Sequence, residues 1–532
     1  MEPFNITVMT VEDGALVSTR KGIRVKKEKH GKLAFINTST NNICPPRTPI
    51  AKSKITQSSD LIVMPISGPR RTRPKSPRAK ANKTKDNSSG PEKEPEVDRI
   101  SRIIKQLALP PRLLQRLETL PASSKYQVPA HLSPVGQRHL LWSMVMCPEL
   151  SYPLDKYGIM THNPMLASDR SEWMTASHFI LTTNLLLGAA FEARREGKRE
   201  SRALRELHAK TYRYVSHQLK EPGERSDIEY GFLVMSVAGL AFTASLVGND
   251  AQWKIHAKGM QVLISASGGL GKLDPITLNC VRGVDIDCAI PAGAQPHIPF
   301  FRRHYPFTHV LPAAEIDAMF SRLRTRLSVC SVDPNVIETL ISVFTLKQST
   351  YYARTATPAI KFGPEELMEE IWFLKFQLQS SPKPLFKQPK DQSTSVTESL
   401  ESALRIAALM YFDKRLLDSP IGWRYYSKLL YLIVKPMETL LDAVHAGNMR
   451  RLPIDQVIAS ARPFLLWICM LGHLFSVRTG VYPSGASYRD FGSSIYRRMV
   501  RKLVGTQLES ADAGDLALAA MTADTCPGGK AR

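Results

Sequence analysis

From about residue 100 onward, apolar positions recur at three- and four-residue intervals, and almost no stretch alternates with period two. The pattern predicts a succession of helices. Asp98 caps a short helix carrying Ile100, Ile103, Ile104 and Leu107. Pro110-Pro111 stops it, and Pro111 opens the next helix, through Leu113, Leu114, Leu117 and Leu120. Segment 171–195 is apolar on two sides: Trp173, Ala176, Ile180 and Leu187 on one, Met174, Leu181 and Leu185 on the other. A central helix has this character. A charged helix over 199–220 turns Leu204, Leu207, Tyr214 and Leu219 inward, and a very apolar one follows over 227–247.

Segment 250–267 is the most legible. Trp253, His256, Ala257, Met260, Leu263 and Ile264 share one stripe, with Lys254, Lys258, Gln261 and Ser265 opposite. Gly268-Gly269 ends that helix, because glycine takes the left-handed conformation at a helix terminus. Asp274-Pro275 reads as an N-cap and first turn of a helix reaching about Ile290. A loop rich in Pro, His and aromatic residues spans Pro291 to Phe307. Helices resume over 312–329, 333–354 and 364–380, and a polar hinge or surface loop follows near 381–394. Ser395 and Glu398 form a capping box for a helix that places Leu400, Ala403, Leu404, Ala407 and Tyr411 on one face. Three more helices are expected at about 422–446, 453–478 and 485–505, the second carrying Trp467, Met470, Leu471 and Leu474.

Two apolar runs, Phe232 to Gly248 and Phe464 to Val477, are too short or too interrupted for a bilayer span and read as buried helices. No fixed-period repeat is present, so a regular solenoid is not expected. The fold class predicted is all-α: a large irregular multi-helix domain over 98–507, with a flexible tail over 508–532.

Residues 1–97 read differently. The chain carries a net charge of +23, and its first 100 residues hold 20 Lys+Arg against 10 Asp+Glu with ten of the 37 prolines. Few periodic apolar residues offset the entropy of ordering, so this stretch is expected to be a disordered basic region. Its main cluster, Arg70, Arg71, Arg73, Lys75, Arg78 and Lys80, is kept extended by Pro74 and Pro77, so the cations can follow a line of phosphates. Such a run reads first as a nuclear-import signal or solvated tail, and second as an arm making weak, nonspecific DNA contact.

Signatures of catalysis are missing. No Gly-x-Ser-x-Gly elbow and no His-Glu-x-x-His occurs. Ala266 to Leu273 approaches a phosphate loop but lacks its first glycine and its magnesium-holding hydroxyl. Asp285, Asp287 and Cys288 suggest metal at first sight, yet two carboxylates two residues apart point to different faces of a helix, and Arg282 lies at i−3 to pair with Asp285. His256 reads as a core histidine. No catalytic residue, cofactor or metal site is therefore expected. Seven widely spaced cysteines, an odd number without a signal peptide, point to a reducing intracellular compartment.

The stretch Trp253-x-x-His256-x-x-Gly259, Gly268-Gly269-Leu270, Arg282-x-x-Asp285, Pro296-x-x-Pro299-Phe300 resembles the fungal-specific transcription factor domain, the helical regulatory region of fungal zinc-cluster activators. Ala403 to Leu416 and the Leu465-Leu466-Trp467 helix are similar to it as well, and the resemblance covers roughly 130–505. It implies a nuclear transcriptional regulator that contacts other nuclear regulatory proteins, with a homodimer among the assemblies and no membrane. One departure is plain: the first 130 residues contain only Cys44, whereas each structural zinc takes four ligands. Either the chain belongs to a subgroup with the helical domain and no zinc cluster, which Leu33-Ala34-Phe35-Ile36-Asn37 and the basic stretch after it resemble, or an exon is missing from the gene model. The alternative is a helical scaffold or adaptor without a transcriptional role.

Overall fold

The computed structural model describes residues 9–12, 15–18 and 129–417, the last with short internal breaks, and isolated positions between 429 and 471. The basic cluster from Arg70 to Lys80, the two helices expected between 98 and 120, the helix expected at 485–505, most of those at 422–446 and 453–478, the 508–532 tail and most of 381–394 lie outside the described residues. Within the stretch expected to be disordered, strands β1 (Met9–Glu12) and β2 (Ala15–Ser18) pair antiparallel, Glu12 opposite Ala15. The register leaves two residues between them, Asp13-Gly14, and that dipeptide is a strong hairpin signal.

From residue 129 the described residues form an irregular all-α body. Its helices are α1 (Pro134–Ser151), α2 (His178–Arg195), α3 (Arg202–Lys220), α4 (Asp227–Val247), α5 (Asp250–Ala266) and α6 (Pro275–Ala292). Then come α7 (Ala313–Val329), α8 (Pro334–Thr355), α9 (Pro364–Ser380) and α10 (Val396–Tyr411), which runs into a π-helical turn, Phe412–Leu417. Helix starts follow cap chemistry. Ser226 and Glu229 form a reciprocal capping box on α4, and Asp274 accepts from the amides of Ile276 and Thr277 on α6.

Sequence periodicity did not predict α1. Ser133 caps it and Pro134 fills its first turn, a start signal as good as that of α6. Pro148 lies inside its last turn and hides the continuation. Pro291, read as the first residue of the loop, sits inside the last turn of α6. In the described residues α2 begins at His178, and 167–176 lie outside them.

Helix α4 lies at the centre of the first half, against α2, α3, α5 and α6, while α1 packs on α2. It is long and apolar enough to cross a membrane, and 72% of its apolar window is buried inside this body. One apolar cluster unites α1 to α6 through residues such as Leu140, Leu186, Val234, Met260 and Val281. A second gathers α8, α9 and α10 around Val343, Ile371 and Ala407, and takes in Trp467 and Ile468. Each fully buried leucine-sized side chain contributes roughly 1.5–3 kcal/mol. Close approach of α1 to α2 depends on Gly188, where an added Cβ would fall 1.7 Å from the His139 carbonyl oxygen.

Helix α6 joins the two halves. Leu278 and Val281 enter the first cluster, Ile286 and Ile290 the second, and Cys288 and Ala289 meet Trp253 and Ala257 of α5. A helix buried on so many sides has little room for charge, which makes its three charged residues (Arg282, Asp285 and Asp287) the place to look for chemistry.

Candidate functional site

Trp253, Arg282, Asp285 and the segment from Pro296 of the motif converge on one edge of α6. The buried stripe of α5 is the predicted one: Trp253, His256, Ala257, Met260, Leu263 and Ile264. Gly259 lies half-buried on the same helix. Gly268 and Gly269 have φ of +93° and +95°, and the Gly269 amide donates to the Ile264 carbonyl at 2.9 Å, so the phosphate-loop look-alike is a helix terminus.

Arg282 does not pair with Asp285, as its i−3 spacing suggested. Its Nη1 donates to Glu369 Oε1 of α9 at 2.8 Å, a second guanidinium nitrogen donates to the Phe301 carbonyl, and its guanidinium lies 4.5 Å from the Phe300 ring centre. Asp285 accepts instead from the backbone amides of His297 and Ile298, at 2.9 and 2.8 Å. The fold buries both side chains against distant partners, and each makes its charge-assisted bonds there. Trp253 closes the group with its ring 5.2 Å from that of His297. Trp253, Arg282 and Asp285 thus clamp the Pro296–Phe301 segment against α5, α6 and α9.

His256 is buried as predicted, but neither ring nitrogen has a hydrogen-bond partner. Burial, and to a lesser degree His208 with its ring 6.1 Å away, pushes its pKa down to about 4, so it is neutral at physiological pH.

The opposite face of α6 lines a cavity of about 120 Å³ between α1, α2, α4, α6, α9 and the π-turn. Three helices each contribute a stripe at helical spacing: Ile180, Thr183, Leu187 and Phe191 of α2; Met235, Ala238 and Phe242 of α4; Cys280, Val284 and Asp287 of α6. Most of the wall is apolar. Where α6 faces α9, the chemistry changes. Lys375 Nζ donates to Asp287 Oδ1 and to Asp413 Oδ1, both at 2.6 Å. Lys375 and Asp413 have side chains 1% and 2% exposed, and Asp413 Oδ2 is buried with no hydrogen-bond partner.

Burial drives the Asp287 pKa upward, and the neighbouring Asp413 charge adds to it; against the pull of Lys375 they leave it at about 6. Burial works to discharge Lys375, and the two carboxylates override it and hold its pKa above the ordinary lysine value. Nearby, Trp372 Nε1 donates to Asn279 Oδ1 at 2.5 Å, and Asn279 Nδ2 donates to the Ser151 carbonyl at 2.9 Å, so these wall groups are already engaged. The Cys147 thiol is pushed up to about 12 by burial, which keeps it protonated and a poor nucleophile. Among the described residues no group of three His, Cys, Asp or Glu side chains is arranged to hold a metal ion.

Sequence reasoning named Asp287 without its partners. Lys375 carried a signal: it shares the Met368, Trp372, Gln379 stripe of α9, all buried, and lysine is rarely found in such company unpaired. Asp413 carried none, because the π-turn that aims it shifts the helical register.

Searches against protein-family models, curated proteins and solved structures found no match to this chain. The resemblance to the fungal-specific transcription factor domain therefore rests on the residues quoted for it.

Proposed function

We propose that this chain is a fungal-type transcriptional regulator whose helical body receives a small effector in the α2–α4–α6 cavity. The observation that carries the effector reading is the composition of that cavity: apolar helical stripes ending at a buried ion cluster with one carboxylate oxygen unengaged. Ligand pockets have this make-up, mostly apolar with a few placed polar groups. The regulatory part of the reading is supported by the ordered motif from Trp253 to Phe300, in which the clamp gives Arg282 and Asp285 a structural task. Arg70, Arg71, Arg73, Lys75, Arg78 and Lys80 serve nuclear import or nonspecific phosphate contact, and nuclear regulatory proteins are the partners. The role is binding, not catalysis: Lys375 bridges the two carboxylates of the cavity, and burial keeps the Cys147 thiol protonated.

Fusing the full chain to a heterologous DNA-binding domain and reading a reporter tests the proposal. Reporter output that changes, and changes again when cavity residues are altered, is the expected result. A silent fusion that nonetheless binds small molecules in the cavity would overturn the transcriptional reading in favour of a helical adaptor.

A further inference from the structure

The geometry points to the chemical class of the occupant: a small, largely apolar molecule carrying one protonated amine, its ammonium held by Asp413 and Asp287 beside Lys375. The inference deepens the effector reading above and rests on it. The cluster contains two carboxylates and one ammonium, so with all three ionised one negative charge is uncompensated. Water cannot screen it well, because two of the three side chains are almost wholly buried. Lys375 already donates to both partners at 2.6 Å, whereas Asp413 Oδ2 accepts nothing. The unspent capacity is therefore that of an acceptor.

Three classes of polar head can be compared against that fact. An anionic head would meet the surplus negative charge. A hydroxyl could donate to Asp413 Oδ2 and would leave the charge uncompensated. An ammonium both donates and neutralises, and it is the head that desolvated carboxylates favour most. A bare metal cation is served poorly, since no third His, Cys, Asp or Glu side chain joins the two carboxylates among the described residues. The stripes headed by Leu187, Phe191, Met235 and Phe242 supply the apolar surface that a hydrocarbon body would cover.

Calorimetric titration of the full chain with hexylamine, hexan-1-ol and hexanoate at neutral pH tests the inference, since the three differ only in the head. Hexylamine is expected to bind about tenfold or more tightly than hexan-1-ol, and hexanoate more weakly than either. Asp413→Asn should abolish the preference for the amine while the Lys375–Asp287 pair holds the site together. Leu187→Trp should weaken all three by filling the wall. Equal binding of amine and alcohol, tighter binding of hexanoate, an amine preference that survives Asp413→Asn, or binding of none of the three would overturn the inference. The wild-type series alone decides even if a variant fails to fold. A responsive reporter without an amine preference sinks this inference and spares the regulator; an amine preference with a silent reporter does the reverse.

Discussion

Two carboxylates two residues apart on α6 meet opposite fates. Asp285 faces the Pro296–Phe301 segment and spends both oxygens on backbone amides. Asp287 faces the cavity and shares one lysine with a second carboxylate that keeps an oxygen idle. The difference separates scaffold from site. A buried polar group whose valences are filled within the chain holds the fold together. One that keeps an unfilled valence costs stability, and where it also lines a cavity, as Asp413 does, it is placed to meet a ligand.

The largest effect should come from removing a buried cation on either face. Arg282→Met leaves the buried Glu369 carboxylate without its cationic partner, and Lys375→Met leaves two carboxylates facing each other. Each should lower unfolding free energy by about 3–5 kcal/mol in urea titration. A loss well under that for Lys375→Met would mean that water reaches the cluster and would blur the contrast.

Acid titration sharpens it further. Asp287 has a folded pKa of about 6, above its reference of 3.8, so the folded chain binds the extra proton between those values. Stability from this group is present below about pH 4 and is lost as pH rises through 6. His256 has a folded pKa of about 4, below 6.5, so its contribution is lost as pH falls from 6.5 towards 4. The two slopes oppose each other. His256→Leu should therefore shrink the fall in Tm between pH 7 and pH 5, although His208, also held low by burial, keeps part of it. Asp413→Asn should enlarge the fall, because it removes a charge that raises the Asp287 pKa. These shifts are smaller than the loss expected for either cation, and thermal scans at the two pH values measure them.

The same comparison explains what could be read before the structure. α4, α5 and α7 to α9 start and stop within a residue or so of their predicted bounds, since caps and three-four periodicity are local signals. The two-sided apolar character of α2 was legible too, and its meaning is now clear: Leu181 and Leu185 enter the core, while Ile180 and Leu187 line the cavity. The partners of α6 were not legible. Glu369 is 87 residues from Arg282, and Lys375 is 88 from Asp287. A local i−3 rule assigned Arg282 to Asp285 because the chain alone gives no sign of which distant helix lies alongside.

The most direct test of the contrast sets Asp285→Asn beside Asp413→Asn in one denaturant titration at pH 7. The account predicts a loss of about 2 kcal/mol for Asp285→Asn, where an amide must face two backbone N–H groups. It predicts unchanged or higher stability for Asp413→Asn, where a surplus buried charge is removed and the Lys375–Asp287 pair remains. Equal losses in the two variants would show that both faces of α6 are scaffold and would contradict the cavity as a site.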